Sequence, residues 1–144
     1  RPPKTMNEVF LDASYAIALS SATDAHHQRA LLLAQSLETS RTRLVTTRAV
    51  LLEIGNALSR RRFRSAAVAL LSAMENDPSI EVVPSSEGLY RKAFRLFRDR
   101  PDKEWGLTDC MSFVVMEERG LSEALTADAH FSQAGFRALL LSPP

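Results

Sequence analysis

Cys110 is the only cysteine in this chain, which excludes an intrachain disulfide framework and a thiolate zinc cluster. Lysine is almost as scarce: Lys4, Lys92 and Lys103 are the only three, so 15 of the 18 basic residues are arginine. No apolar run approaches the length of a membrane span. The opening stretch Arg1 to Thr5 is polar and proline-containing, which is not a secretory signal. Charge of one sign is lacking too. The formal net charge is +1, so the global field does not announce a nucleic-acid partner. Aromatic residues make up 7% of the chain, leaving Tyr15, Phe63 and Trp105 as the ones expected to stack on bases. Repeats, linkers and low-complexity segments are absent. These absences point to a cytoplasmic protein of one domain, residues 6–142, with no membrane partner. Met6 reads as the natural start, and residues 1–5 read as a remnant of expression.

A chain of 144 residues with 45% hydrophobic and 24% charged residues is large enough to bury one ordinary core. The arginine bias has a chemical reading, because guanidinium forks match phosphates bidentately. Codon usage in a GC-rich genome produces the same bias.

Strand-like and helix-like patterns alternate from end to end. Glu8 to Leu11 reads as a first strand. Ala25 to Leu37 repeats apolar residues at helical spacing, with Asp24 as its N-cap. Leu44 to Thr46 is a short strand, followed by amphipathic helices over Ala49 to Arg61 and Ser65 to Met74. Ile80 to Val83 is a strand ended by Pro84, and Glu87 to Phe97 is a helix before a charged loop, Asp99 to Lys103. Thr108 to Glu118 is apolar nearly all round and is expected to be the most buried helix, closed by Gly120. Glu123 to Thr126 and Arg137 to Leu141 read as the last strands. This alternation predicts an α/β fold, a small parallel sheet with helices on both faces. In such sheets the ligand crevice lies beyond the carboxyl ends of the strands.

Four acids interrupt the apolar pattern. Asp12 ends the first strand, and Asp128 follows the run Ala124 to Ala127. Glu53 and Asp109 fall in the first turns of two helices, expected to pack near the same edge. Each has an ordinary explanation: a turn for Asp12, the helix dipole for Asp109, a solvated boundary for Glu53, and a cap for Asp128. Those explanations do not account for all four falling at one sheet edge. Carboxylates rarely sit buried unless paired or bound to a cation, so a shared acidic pocket calls for one. Hard divalent ions take oxygen ligands, and such ions serve phosphodiester chemistry. Histidine is not required as a base. His26, His27 and His130 read as surface or capping residues, with a pocket role open for His130, two residues after Asp128.

At these residues the chain resembles the PIN-domain family, in its compact toxin branch of VapC-like ribonucleases. The likeness covers residues 6–142. It is carried by Phe10-Leu11-Asp12-Ala13-Ser14, by Leu52-Glu53-Ile54-Gly55-Asn56-Ala57-Leu58, by Leu107-Thr108-Asp109-Cys110, and by Leu125-Thr126-Ala127-Asp128-Ala129-His130-Phe131. The resemblance implies that Asp12, Glu53, Asp109 and Asp128 are the catalytic acids and hold Mg²⁺ or Mn²⁺. It implies that Ser14 and Thr108 support them by hydrogen bonds. It further implies an RNA substrate, a homodimer and a small antitoxin partner. One departure is His130, where some relatives place a further acid.

Arg60, Arg61, Arg62 and Arg64 form the densest basic run and are the candidate contacts to an RNA backbone. A helix end whose cations suit the C-terminal dipole explains the same run. Arg91, Arg95 and Arg98 share one helical face as a second candidate. A phosphohydrolase with an aspartyl nucleophile would want an acid where Ser14 stands. A receiver-type module would want a late lysine, and none follows Lys103. A non-catalytic PIN-like module that binds RNA or antitoxin stays open as the alternative.

Overall fold

The computed structural model describes residues 7–142, so the reading of residues 1–5 and of Met6 lies outside the described residues. Five parallel strands form one sheet: β1 (Glu8–Leu11), β2 (Arg43–Thr47), β3 (Ile80–Val83), β4 (Glu123–Leu125) and β5 (Arg137–Ala138). Their order is β3-β2-β1-β4-β5. The chain therefore winds outward from β1 in one direction to β3, then returns to lay β4 on the other side of β1. The reversal lies between β1 and β4, and a parallel sheet opens its crevice at such a point, beyond the carboxyl ends of the strands.

The sheet's centre is apolar on both faces, as parallel strands covered by helices are. Val9, Phe10 and Leu11 of β1 are all buried, as are Ala124 and Leu125 of β4. Phe10 packs on Phe131, which meets Phe113 edge to face with centroids 5.0 Å apart. The helices are α1 (Ala13–Ser20), α2 (His27–Thr39), α3 (Arg48–Ala57), α4 (Arg61–Asn76), α5 (Glu87–Asp99), α6 (Leu107–Arg119) and α7 (Ala129–Gln133). Local chemistry sets several boundaries. Thr47 starts α3 by accepting from the Val50 amide at 3.1 Å, and Ser86 does the same for Leu89 of α5. Gly120 ends α6 in the left-handed region at φ 65°, where a side chain would be strained. Six residues of α6, Cys110 to Phe113 with Val115 and Met116, are buried, the largest such set in any helix.

Several boundaries differ from the sequence reading. Helix α1 was not foreseen, because Ala13, Tyr15, Ala16 and Ala18 are all buried and leave no polar face to mark a helical period. The single helix expected over Ala49 to Arg61 ends at Ala57, and Arg60 is extended at φ −61° and ψ 148°. Arg61 opens α4 instead. Gly55 of α3 faces Leu71 of α4 across the return. Helix α2 begins at His27, and Asp24 caps the preceding turn by accepting from the His26 amide at 2.8 Å. Strand β5 is only two residues long, after which Leu139 to Leu141 turn away. Among the described residues no helix is long and apolar enough to cross a membrane.

Candidate active site

The backbone brings β1 and β4 out of the sheet side by side. The Asp12 amide donates to the Leu125 carbonyl at 3.1 Å, so the residues after both strands meet at the switch point. Asp12 is buried, and its Oδ2 accepts from Thr126 Oγ1 at 2.7 Å and from Ser14 Oγ at 3.2 Å. Ser14 Oγ also accepts from the Ala127 amide, and Thr126 Oγ1 from the Asp128 amide, at 2.9 and 3.0 Å. Two hydroxyls thus stitch the start of α1 to the β4–α7 loop and hold one carboxylate between them. Burial pushes the Asp12 carboxyl above its ordinary value; the bonds from Thr126, the Ala13 backbone and Ser14 pull it back, and the charge of Asp109 pushes it up again.

Asp128 stands at the N-cap of α7, where its Oδ1 accepts from the His130 amide at 2.8 Å. Asp109 lies in the first turn of α6, and its Oδ2 accepts from the Gly106 amide at 3.1 Å. Glu53 comes from the second turn of α3, not the first, and is exposed as a residue. Its carboxyl is nonetheless pushed up to about 7. The first cause is loss of water around it, and the charges of Asp12, Asp109 and Asp128 add to that. Glu53 therefore feels all three other acids. None of the four forms an ion pair with Lys or Arg among the described residues. Oxygen donors brought together with no Lys or Arg counter-charge fit a hard divalent cation, and Mg²⁺ or Mn²⁺ suits that donor set.

Two supporting residues differ from expectation. Thr108 makes no side-chain hydrogen bond among the described residues, and only its carbonyl is used, by Ser112 Oγ at 3.1 Å. The supporting threonine is Thr126, whose contact with Asp12 joins residues 114 apart in sequence. His130 is not simply a surface residue. Its Nδ1 lies 3.1 Å from Asp109 Oδ2 and 3.4 Å from Asp128 Oδ1.

The flanking surface also changes. Arg60 precedes α4, while Arg61, Arg62 and Arg64 lie in its first turn, so the C-terminal dipole does not account for them. All four are exposed, and the Arg64 guanidinium donates to the Ser59 carbonyl. Tyr15 and Trp105 are buried and unavailable for stacking, with Trp105 Nε1 donating to Gln133 at 3.1 Å. The exposed aromatics are Phe63, which lies under Arg62, and the stripe Tyr90, Phe94 and Phe97 on α5. That stripe sits beside Arg91, Arg95 and Arg98. Its i, i+4, i+7 spacing was the signal in the sequence that could have found it.

A family model of the PIN domain matches residues 9–137. The 23S rRNA-specific endonuclease VapC20 of Mycobacterium tuberculosis, in strains H37Rv and CDC 1551, is 33% identical over 128 residues, covering 89% of this chain and 95% of the relative. The crystal structure of Mycobacterium tuberculosis VapC20, a Sarcin-Ricin loop cleaving toxin, matches this fold with a TM-score of 0.78 at 31% identity, over 89% of this chain and 95% of that one.

Proposed function

The chain belongs to the PIN-domain family, and from that premise we propose that it is a metal-dependent endoribonuclease, the toxin of a toxin–antitoxin pair. The observation that supports this reading is the cluster of Asp109, Asp128 and His130, whose ligand atoms lie within 4.8 Å of one another, beside buried Asp12 and a Glu53 whose carboxyl the charges of all three other acids help to raise. Mg²⁺ or Mn²⁺ bound there supplies positive charge to an RNA phosphate and makes a nearby water more acidic. Asp12 and Asp109 are the inner holders, each fixed by hydrogen bonds from its own surroundings. Asp128, pinned by its own cap, completes the ring, and Glu53 is the carboxyl able to take up a proton near neutral pH. Arg60, Arg61, Arg62 and Arg64 track the RNA backbone.

The mycobacterial relatives are named for 23S rRNA. We extend that substrate class to this chain: a structured loop of the large ribosomal RNA, met in the cytoplasm. The exposed Leu31, Leu32 and Val68 favour a homodimer or a bound antitoxin tail over bare solvent.

The test is cleavage of a ribosomal RNA fragment by the purified chain. EDTA should stop it and Mg²⁺ or Mn²⁺ should restore it. Asp109→Asn should lower the rate by about a hundredfold or more, on the order of 3 kcal/mol of lost electrostatic stabilisation, with circular dichroism unchanged. Cleavage that survives both EDTA and Asp109→Asn would defeat the proposal. RNA binding with no cleavage under any metal would leave the non-catalytic binding module as the better reading.

A further inference from the structure

His130 stands in an unusual position for a ring nitrogen. Its Nδ1 faces two carboxylates at once, Asp109 Oδ2 at 3.1 Å and Asp128 Oδ1 at 3.4 Å. One ligand atom from each of the three residues lies within 4.8 Å of the others. A proton on Nδ1 would serve Asp109 Oδ2 best, the nearer oxygen, and Asp128 Oδ1 only as a weaker shared acceptor. A bare lone pair on Nδ1 would face two anions, an arrangement that needs a cation between them. The two nitrogen-to-oxygen distances have a simple reading. Adjacent ligands of an octahedral ion with bonds of about 2.1 Å stand about 3 Å apart. The backbone holds the arrangement: the His130 amide is tied to Asp128 Oδ1 at 2.8 Å, and Asp109 Oδ2 is tied to the Gly106 amide at 3.1 Å.

We infer that His130 is a nitrogen ligand of the cation that this acidic site holds, and that it biases the site toward a transition-metal ion such as Mn²⁺ over Mg²⁺. The inference rests on the acidic edge being a metal site, as proposed above. Its chemical basis is ligand type. Carboxylate and water oxygens suit Mg²⁺ and Mn²⁺ alike, but Mg²⁺ is the smaller, harder ion that gives up its waters reluctantly, so an imidazole nitrogen is accepted more readily by Mn²⁺. A site of four carboxylates would hold both ions. The same site with one imidazole separates them. Ligation requires the proton on Nε2 and the lone pair on Nδ1, so the ring enters as the neutral form.

The experiment uses the full chain with each metal alone. Mn²⁺ and Mg²⁺ are titrated calorimetrically into the wild type, His130→Ala and His130→Asn. The Mn²⁺-loaded proteins are also examined by pulsed electron paramagnetic resonance for coupling to nitrogen-14. His130→Asn keeps an amide that can donate to Asp109, so it separates ligation from positioning. The expected result is imidazole nitrogen coupling in the wild type that disappears in both variants. The Mn²⁺ dissociation constant should rise about tenfold in both, while that of Mg²⁺ changes by less than about threefold. Mn²⁺ binding without nitrogen coupling, or equal weakening of both metals, would overturn the inference and leave the metal site standing. A wild type that binds neither metal would overturn the inference and the metal site together.

Discussion

Thr126 Oγ1 donates to Asp12 Oδ2 at 2.7 Å, a bond between two buried residues 114 positions apart. It is the shortest contact to the one acid that burial most isolates from water. Thr126→Val keeps the shape, removes the donor, and leaves the Asp128 amide without its acceptor. The expected cost is about 1–3 kcal/mol in urea unfolding, because a buried group loses its partner. Asp12 should also ionise at higher pH, moving the acid limb of the cleavage profile upward. Thr126→Ser should restore both. A Thr126→Val protein with unchanged stability and pH profile would show that Ser14 alone suffices.

The raised acids predict an uncommon pH dependence for the metal-free protein. Glu53 moves from an ordinary 4.5 to about 7 in the fold, so folding favours its protonated form. That contribution is complete below 4.5 and is lost as pH rises toward and through 7. Asp12 shifts in the same direction. Metal-free protein should therefore melt at lower temperature at pH 7.5 than at pH 5, by scanning calorimetry. Glu53→Gln should flatten the slope by removing the titrating group. Mn²⁺ should reverse it, since cation binding needs the carboxylates ionised. A melting temperature that is flat from pH 5 to 7.5 without metal would refute the crowding of these acids.

The exposed arginines at the start of α4 are expected to act on binding and not on chemistry. Arg61→Ala should raise KM with a small loss in kcat. The slope of log affinity against log salt should fall by about one phosphate contact. An unchanged salt slope would remove Arg61 from the RNA path.

Dimerisation is best tested at Val68, which is 58% exposed. Leu71 is a poorer choice, because it is half-buried against Gly55 and lines the groove between α3 and α4 with Leu51 and Leu52. Val68→Asp should give a monomer in light scattering at micromolar concentration, with circular dichroism retained. A wild type that is already monomeric would refute the dimer, and a dimer that survives Val68→Asp would move the interface elsewhere.

Much of this fold was legible because its strands are plain. Val9 to Leu11 is apolar on both faces, and Asp12 stops it, so β1 and the acid after it read directly from the sequence. The buried run of α6 announced itself in the same way. What escaped notice lacks a periodic signal or depends on distant parts of the chain. Helix α1 has no polar face, and the break between Ala57 and Arg61 carries no Pro or Gly to announce it. Thr126 reads as an ordinary strand residue until β1 and β4 lie side by side, and then it becomes the partner of Asp12. His130 reads as a capping residue until α6 brings Asp109 up to its ring. Tyr15 and Trp105 looked available for bases only because composition cannot say which aromatics the core consumes.

The sheet order has a consequence for the timing of synthesis. Asp12 is synthesised well before its partner Thr126, which lies 114 residues later. A growing chain that stops before β4 has β1, β2 and β3 in hand and still lacks one wall of the site. Such a chain holds the first three acids without the fourth and without the hydroxyl that steadies the first. Fragments truncated before β4 should therefore be inert, and the activity proposed above would arise only once β4 and α7 have joined the sheet.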